Sequence, residues 1–341
     1  MPATSWQEKI DPGEAQRFER YAEQLRELQR RNARGGPAGR ALHAKGQLGL
    51  EAVLTVLPDL PDHARMGPFA APATFRAYLR YSNGSGRRQH DAKADVRGVA
   101  VKLLGVPGKK IIPGMEGAKT QDFLLIRSST TPFRNADEFV PFVIAVTSPL
   151  TGLPRAIAKI GVGRTLQILR RAGKQLGEPV GSLAATRYFS AVPIRFGVHA
   201  VRYALRPHLP PGPPLPLRSP DALAEELSAR LQKGPVVYDF QLQFFTDEAH
   251  TPIEDASVDW KEEDAPFLTV ARLTLPMQDP SSARGRRIAE RVEGLSFDPW
   301  HALEELRPLG NMMRARNPAY RLSTQERKAL PEPDGSEDLP W

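Results

Sequence analysis

The sequence of 341 residues contains no cysteine. Disulfide bonds, thiolate metal sites and cysteine nucleophiles are therefore excluded, and a reactive centre has to use histidine, tyrosine, serine, carboxylates or a bound cofactor. Long hydrophobic runs are lacking as well, because the longest, Phe139 to Val146, is too short to span a bilayer. The first residues show no basic segment followed by an apolar stretch. We therefore expect a cytoplasmic protein with no secretory signal and no transmembrane segment.

Charge of one sign is not collected in a single long run. The chain has 47 Lys and Arg against 39 Asp and Glu, a net charge of +8, and its short basic clusters at 30–31, 170–171 and 286–287 lie far apart. Nucleic-acid binding proteins usually place their basic residues on one stripe with aromatic side chains between them. The sequence therefore disfavours a nucleic acid as the partner.

Apolar residues recur with both helical and strand periodicity, which predicts an α+β fold. Helical spacing follows the Asp-Pro-Gly-Glu capping pattern at 11–14 and ends at 35–37, and further helices are predicted over 155–175 and 220–232. Alternating apolar residues predict strands over 48–56, 74–82, 99–104, 122–126, 236–245 and 268–275.

His43 is the histidine in an unusual setting, between Arg40 and Lys45 and directly before the first predicted strand. Nearby cations disfavour the imidazolium form, so the ring would stay neutral and accept a proton near neutral pH, as a general base does. A histidine that only bonds to the backbone at the start of a strand is the structural alternative. The other six histidines form no pair with metal-ligand spacing: His63, His90, His199, His208, His250 and His301. We therefore expect no zinc or iron site built on histidine.

Arg316 and Tyr320 lie four residues apart near the end of the chain. In a helix they share one face, and a guanidinium beside a phenol oxygen favours the phenolate. A phenolate is a hard anionic ligand for ferric iron. A surface contact between the two side chains is the ordinary alternative, so the pair needs support from other motifs.

Four segments, in order along the chain, resemble the motifs of haem catalases. Arg40 to Gly46 is similar to the motif of the distal histidine, and Leu79 to Asn83 is similar to the strand that carries an arginine and a serine behind it. Asp95 to Lys102 resembles the family's Asp-x-Arg-Gly-Phe-Ala-Val-Lys signature, and Arg316 to Tyr320 resembles its Arg-x-x-x-Tyr pattern. On these residues the chain is identified as a member of the catalase superfamily, in its compact, catalase-related branch.

The resemblance implies that residues 1–341 form one domain, an antiparallel β-barrel with surrounding helices. It also implies that this domain binds haem b. Within that domain, the seven prolines of 206–220 predict an extended connection, and the tail over 329–341 is expected to be loose. The resemblance also implies that Tyr320 is the iron ligand, that Arg316 stabilises its phenolate, and that His43 covers the distal face with Ser82 orienting its ring. Four further residues are expected to contact the macrocycle, Phe139 by stacking and the others by binding its propionates: Arg40, Arg80 and Arg327.

The implied function is that of a haem-dependent peroxidase or catalase that consumes hydrogen peroxide or an organic hydroperoxide, with a small-molecule reductant. The asparagine that catalases place beside the distal histidine has no counterpart, and the alignment puts Arg127 or Ser128 at its position, with Arg127 expected to contact peroxide. Leu42 stands where coral-type allene oxide synthases carry threonine. The alternatives are a hydroperoxide isomerase or lyase, such as an allene oxide synthase, and a non-catalytic haem-binding protein. Association into a homo-oligomer is left open.

Overall fold

Eight antiparallel strands close into a barrel in the computed structural model, which describes residues 2–33, 36, 38–147 and 152–335. The strands of the described residues are β1 (Gly46–Val56), β2 (Thr74–Asn83), β3 (Arg97–Leu104), β4 (Thr120–Ile126), β5 (Tyr188–Phe189), β6 (Ile194–Phe196), β7 (His199–Pro207), β8 (Val236–Phe244) and β9 (Phe267–Leu275). Around the barrel the order is β1-β2-β3-β4-β5-β7-β8-β9, with β9 paired to β1, and β6 forms a hairpin with β7. The α+β class and the antiparallel barrel expected from the resemblance are confirmed.

The two faces of the strands separate the core from polar side chains. In β2, Leu79 and Tyr81 point into the barrel and are fully buried, whereas the alternate residues Arg80 and Ser82 lie on the outer face. Apolar residues from the other strands fill the barrel. Because side chains fill a barrel of eight strands, polar residues that meet a large ligand lie on its outer face.

The six strands predicted from alternation correspond to β1 to β4, β8 and β9, with every end within two residues. The sequence does not predict β5, β6 or β7. β5 and β6 have two and three residues, which is too short to show a period. β7 is buried on both faces over most of its length, so its apolar residues do not alternate with polar ones.

Helices cover the outside of the barrel. In the described part of the chain they are α1 (Glu14–Ala33), α2 (Ala136–Val146), α3 (Gly152–Ile160), α4 (Val162–Gly177), α5 (Ala222–Leu231), α6 (Ala283–Gly294) and α7 (Asn311–Glu326). The single helix predicted over 155–175 is two helices instead, because Gly161 takes a left-handed φ of +89° between them. Of the helices described, none combines the length and the apolarity that crossing a membrane requires.

Two segments without regular structure pack on the barrel. The proline-rich segment contributes Leu209, Leu215 and Leu217 to the edge of the core. The tail differs from the loose segment expected from sequence, because the Leu330 N–H donates to Gly294 O at 2.9 Å and the side chain of Glu332 is buried in an ion pair. Residues 336–341 of the predicted loose tail lie outside the described residues.

Candidate active site

His43 lies just before β1, on the outer side of β2 and β3. Its backbone takes a left-handed φ of +54°, and its carbonyl oxygen accepts a hydrogen bond of 3.0 Å from Arg80 Nη2. The ring nitrogen Nδ1 is 2.9 Å from Ser82 Oγ. A Cβ at Gly98 would lie 3.0 Å from His43 Cε1, so glycine at this position makes room for the ring. These three neighbours fix the position and the orientation of the imidazole.

Burial and nearby cations keep the imidazole of His43 neutral. Burial is the largest cause of a pKa lowered to about 3. Three cations lower it further, in decreasing order Arg80, Arg316 and Arg40. Lys45 is not one of them, although the sequence places it beside His43, because its ammonium group pairs with Asp91 at 2.8 Å. Among the described residues no hydrogen bond reaches Nε2, so this nitrogen can accept a proton.

Arg316 and Tyr320 share one face of α7, as their spacing predicts. Arg316 Nη2 donates a hydrogen bond of 3.0 Å to Tyr320 Oη, and the guanidinium carbon lies 5.3 Å from the centre of the phenol ring. Burial lowers the pKa of Arg316, but Tyr320, Tyr203 and Asp298 raise it, and the net shift is upward. The guanidinium therefore stays charged and places a positive charge at the phenol oxygen.

His43 lies near the Arg316–Tyr320 pair, and we call the region around these three residues the cleft. Arg316 is close enough to lower the pKa of His43, although the two residues belong to separate elements. The side chains of all three residues keep part of their surface accessible. Burial is nevertheless the largest influence on the pKa of both His43 and Arg316. Side chains that are surrounded by protein and still accessible line an internal cleft.

Three arginines next to this cleft converge on Glu293, two on its carboxylate and one on its backbone carbonyl oxygen. Arg80 Nε lies 2.9 Å from Glu293 Oε2, and Arg40 contacts the same carboxylate. Arg327 donates hydrogen bonds to the backbone oxygens of Glu293 at 3.2 Å and Leu295 at 2.9 Å. Arg40 also donates a hydrogen bond to the backbone oxygen of Leu295. Burial and the two neighbouring arginines hold the pKa of Arg40 well below its usual range. Three guanidinium groups against one carboxylate leave two positive charges in excess among the described residues.

The proteins that resemble this chain are catalases and a catalase-related protein, while no protein-family model matches it. It is 29% identical over 312 residues to the catalase-related peroxidase of Mycolicibacterium paratuberculosis (strain ATCC BAA-968 / K-10), a match that covers 86% of this chain and 90% of that protein. Similar solved structures include a bacterial catalase (TM-score 0.63, 16% identity), a fungal catalase (0.68, 16%) and catalase A from Saccharomyces cerevisiae (0.62, 15%). Together these similarities support the assignment of the chain to the catalase superfamily.

Relative to these solved catalases the chain is compact. The structural matches cover 90%, 89% and 87% of this chain but 60%, 62% and 62% of the bacterial, fungal and yeast catalases. The chain therefore spans about three-fifths of their length. At such low sequence identity the likeness establishes the catalase fold, and the activity has to be argued from the cleft itself.

Catalases bind haem, and the residues of this cleft are of the kinds that such a group requires. Two propionate carboxylates carry two negative charges, which equals the excess positive charge that the three arginines have over Glu293. The oxygen of Tyr320, which accepts a hydrogen bond from Arg316, belongs to the residue type that ligates haem iron in catalases. Both requirements of a haem site, an axial donor and partners for the propionates, are thus present.

Phe139, expected to stack on the macrocycle, lies in α2. Its ring centre is 5.2 Å from that of Phe133, and both belong to an apolar cluster that includes Met312 of α7. Phe139 is therefore placed between α2 and the helix that carries Tyr320. Its contact with a macrocycle stays a prediction.

Arg127 does not reach the distal side of the cleft, where the sequence alignment places it. Gly98 in β3 pairs with Ile126 in β4, so Ile126 lies on the face covered by His43 and the next residue, Arg127, points to the opposite face. Its guanidinium lies 2.9 Å from Glu178 Oε2 and lines a polar cavity of about 250 Å³. The catalytic role expected for Arg127 is therefore wrong, because a shift of one residue along a strand changes the face. Ser128, the other candidate, follows the end of β4.

A buried charged cluster that sequence reasoning missed lies on the same outer face of the barrel. Lys102 and Asp122 are register partners on β3 and β4, and Lys102 Nζ lies 2.7 and 2.8 Å from the two carboxylate oxygens. Glu332 contacts the same ammonium group, and His301 Nδ1 lies 3.0 Å from Glu332. Asp122, His301 and Glu332 are metal-ligating residue types, but the ammonium of Lys102 lies among them, and Lys102 and a protonated His301 together balance the two carboxylates. The cluster is therefore an ion-pair network.

Asp298 joins this network to the Arg316–Tyr320 pair. Its backbone N–H donates to Asp122 Oδ2 at 2.9 Å, and burial raises the pKa of its carboxyl group to about 6. The charge of Asp298 in turn raises the pKa of Arg316. The network therefore adjoins the guanidinium that bonds to the phenol oxygen.

The stability of the fold should decrease as the pH rises through the pKa of His301. Burial lowers this pKa, but hydrogen bonds with Asp122 and Glu332 outweigh burial and raise it from 6.5 to about 9. A proton that the folded state binds more tightly stabilises the fold fully below pH 6.5, and this stabilisation is lost as the pH rises through 9. The difference corresponds to on the order of 3 kcal/mol.

We therefore expect His301→Gln to lower the melting temperature strongly at about pH 6 and only weakly at about pH 10. Thermal unfolding followed by circular dichroism across this range measures the effect. His250→Gln is the matched control, because His250 also pairs with an aspartate but is exposed. A loss of melting temperature that is the same at both ends of the range would contradict the assignment.

Proposed function

We propose that this chain is a haem-dependent peroxidase that consumes hydrogen peroxide or an organic hydroperoxide. At the level of the family its relatives support a peroxide-related oxidoreductase. The observation that carries the proposal is the cleft, in which a neutral His43 lies near the Arg316–Tyr320 pair and beside an arginine cluster with two uncompensated positive charges.

In this proposal haem b is bound by residues around the cleft. Tyr320 Oη would bind the iron, Arg316 would stabilise its phenolate, and Phe139 would contact the macrocycle. The propionates would be bound by the arginine cluster, that is by Arg40, Arg80 and Arg327. When bound, the haem, iron and macrocycle together, would supply the two electrons that reduce a peroxide bond.

His43 moves the proton during peroxide cleavage. Its neutral Nε2 accepts the proton from one peroxide oxygen and donates it to the other oxygen, which leaves as water or as an alcohol. The hydroxyl of Ser82 orients the ring through a hydrogen bond with Nδ1. Gly98 has no side chain and therefore leaves space for the ring. Because the pKa of His43 is about 3, the imidazolium readily gives up its proton to the leaving oxygen.

The outer face of β4 favours peroxidation over dismutation. Dismutation requires a second hydrogen peroxide above the haem, and the catalases that this chain resembles use an asparagine amide there. Leu124 and Ile126, the last two residues of β4 on the face covered by His43, are apolar and offer no side-chain hydrogen bond. A misplacement of about 1 Å can cost on the order of 10²-fold in rate, so dismutation should be slow. Electron donation by a small organic reductant needs less exact placement.

We expect the haem-loaded protein to oxidise a phenolic dye with an organic hydroperoxide faster, per haem, than it releases oxygen from hydrogen peroxide. Parallel assays of dye oxidation and oxygen evolution measure this ratio. Ile126→Asn should raise oxygen evolution, by up to on the order of 10²-fold, because it adds an amide on the face covered by His43. Arg127→Asn is the matched control on the opposite face and should leave oxygen evolution unchanged.

The other outcomes of these assays identify the alternatives. Vigorous oxygen release without dye oxidation would make the chain an ordinary catalase. Conversion of an organic hydroperoxide without any reductant would indicate an isomerase or lyase. Haem binding with no turnover of either peroxide would indicate a non-catalytic haem-binding protein.

A further inference from the structure

Helices α3 and α4 present an apolar stripe to solvent. Val162, Leu166 and Leu169 are spaced by four and three residues, so they share one face of α4, and they are 58%, 59% and 39% exposed. Leu153 of α3 is 49% exposed. The periodicity of this segment suggests a core-facing helix, but the structure places these side chains outside. The stripe therefore forms an uncovered apolar surface in the described part of the chain.

The opposite sides of the two helices are part of the fold. Ala156 and Ile168 are fully buried and pack in the cluster that contains Phe133 and Phe142. Arg164 of α4 is bound to Glu138 of α2 at 2.7 Å. The position of the stripe is therefore fixed by packing on its inner side.

The charged residues of α3 and α4 are all basic. Residues 152–177 contain six Lys and Arg and no Asp or Glu, although the chain as a whole carries only a net +8. Arg164 is neutralised by Glu138, and Arg171 donates to Ser257 O. The remaining four are exposed and form no ion pair among the described residues: Arg155, Lys159, Arg170 and Lys174. These two helices thus carry a local concentration of positive charge within a chain whose other charges are mixed.

We propose that this surface, the α3–α4 face, docks on a membrane that contains anionic lipids. A helix with an aliphatic stripe flanked by Lys and Arg lies in the plane of the interface, with its apolar side chains in the boundary between headgroups and acyl chains. The cations then meet the negative surface of the lipid headgroups. The docking is independent of the haem chemistry proposed for the cleft.

Charge and composition favour lipid over the other occupants of such a face. A second copy would bring the same uncompensated cations into contact with themselves, and like charges repel. Protein interfaces concentrate binding energy in Trp, Tyr and Arg, whereas residues 152–177 contain no aromatic residue. Aliphatic and basic side chains without aromatic residues match a lipid surface better than a folded partner.

Cosedimentation of the full chain with vesicles tests the proposal. We expect binding to vesicles of phosphatidylcholine mixed with phosphatidylglycerol, and little binding to phosphatidylcholine alone. The double variant Arg170→Gln/Lys174→Gln should weaken binding by on the order of tenfold or more, since each cation near an anionic surface contributes roughly fivefold. The double variant Val162→Ser/Leu166→Ser should weaken it as well, and that loss should persist at high salt, where the charge contribution is screened.

Matched controls distinguish this face from a general attraction of a basic protein. Lys233→Gln/Arg287→Gln removes two exposed cations elsewhere, and Val198→Ser/Met277→Ser removes two apolar side chains that are 63% and 66% exposed. Both controls should bind within about twofold of the unmodified chain. Equal losses in the controls and in the α3–α4 variants would overturn the proposal, because binding would then be non-specific.

The absence of cysteine allows a direct measurement of insertion. A single Leu166→Cys variant carrying an environment-sensitive dye should show a blue-shifted emission with anionic vesicles, whereas the same dye on Met277→Cys should not. No shift at position 166 would overturn the proposal. A dimer in solution that Leu166→Ser dissociates would also overturn it, because the face would then be an interface between two copies.

Discussion

Tyr320→Phe is expected to remove normal haem ligation while leaving the fold largely intact. The phenol oxygen is bonded to a charged Arg316 at 3.0 Å, and phenylalanine retains the ring but offers no donor atom. The folded state loses one hydrogen bond, which is on the order of 1 kcal/mol, so the melting temperature of the haem-free protein should change little. Absorption spectra after haem addition, together with a chemical assay of bound haem, measure the loss.

Tyr21→Phe is the matched control for this variant. Tyr21 lies in α1 and its hydroxyl donates to Asp137 at 3.0 Å, so the substitution also removes one phenol oxygen and one hydrogen bond. It should bind haem with unchanged absorption bands, since the Tyr21 hydroxyl bonds to Asp137 and its ring lies beside Phe18. If Tyr320→Phe keeps the absorption bands of the unmodified protein, the assignment of Tyr320 as the iron ligand is wrong.

The parts of the cleft that sequence reasoning located are those determined by local spacing. Arg316 and Tyr320 share a helix face because they are four residues apart, and Arg80 and Ser82 share a strand face because they are two apart. His43 follows from its place before β1. The strand of Arg80 and Ser82 was recognisable from periodicity, whereas the roles of His43, Arg316 and Tyr320 were implied by the resemblance to haem catalases.

The parts that were missed depend on contacts between distant segments. Lys102 meets Glu332 across 230 residues, and Arg80 meets Glu293 across 213. Neither acid lies in a motif, and Glu332 belongs to a tail whose composition is typical of loose segments. A lysine in a buried strand indicates that an acidic partner exists, because an unpaired charge is costly to bury. The strand pattern does not identify which acidic residue that partner is.

The predictions that were wrong fail for the same physical reason. Lys45 is adjacent to His43 in sequence, yet its ammonium pairs with Asp91, so its charge does not act on the imidazole. Arg127 directly follows β4 and pairs with Glu178, on the side that turns away from His43. The single helix predicted over 155–175 is two helices, because Gly161 takes a left-handed φ between them. Periodicity predicts which residues share one face of a helix or strand. Tertiary packing determines which other residues cover that face.

His43→Ala is expected to slow peroxide cleavage by about 10²–10⁴-fold while haem binding is retained. The reason is that Nε2 is the ring nitrogen without a hydrogen bond among the described residues, and alanine leaves no group that accepts a proton at this place. Rapid-mixing absorption spectroscopy with peroxide measures the rate, and the spectrum before mixing reports the bound haem. An unchanged rate would remove His43 from the mechanism.

A comparison with Ser82→Ala separates proton transfer from positioning. Serine at 2.9 Å from Nδ1 orients the ring, so its loss should slow cleavage less than the loss of the imidazole itself. Added imidazole should partly restore the rate of His43→Ala, since Gly98 leaves the space of the ring open, but it should not restore Ser82→Ala, in which the ring is still present. The pH profile gives a second criterion. Because the pKa of His43 is about 3, the rate of the unmodified protein should not fall near pH 6.5, where an ordinary histidine gains its proton.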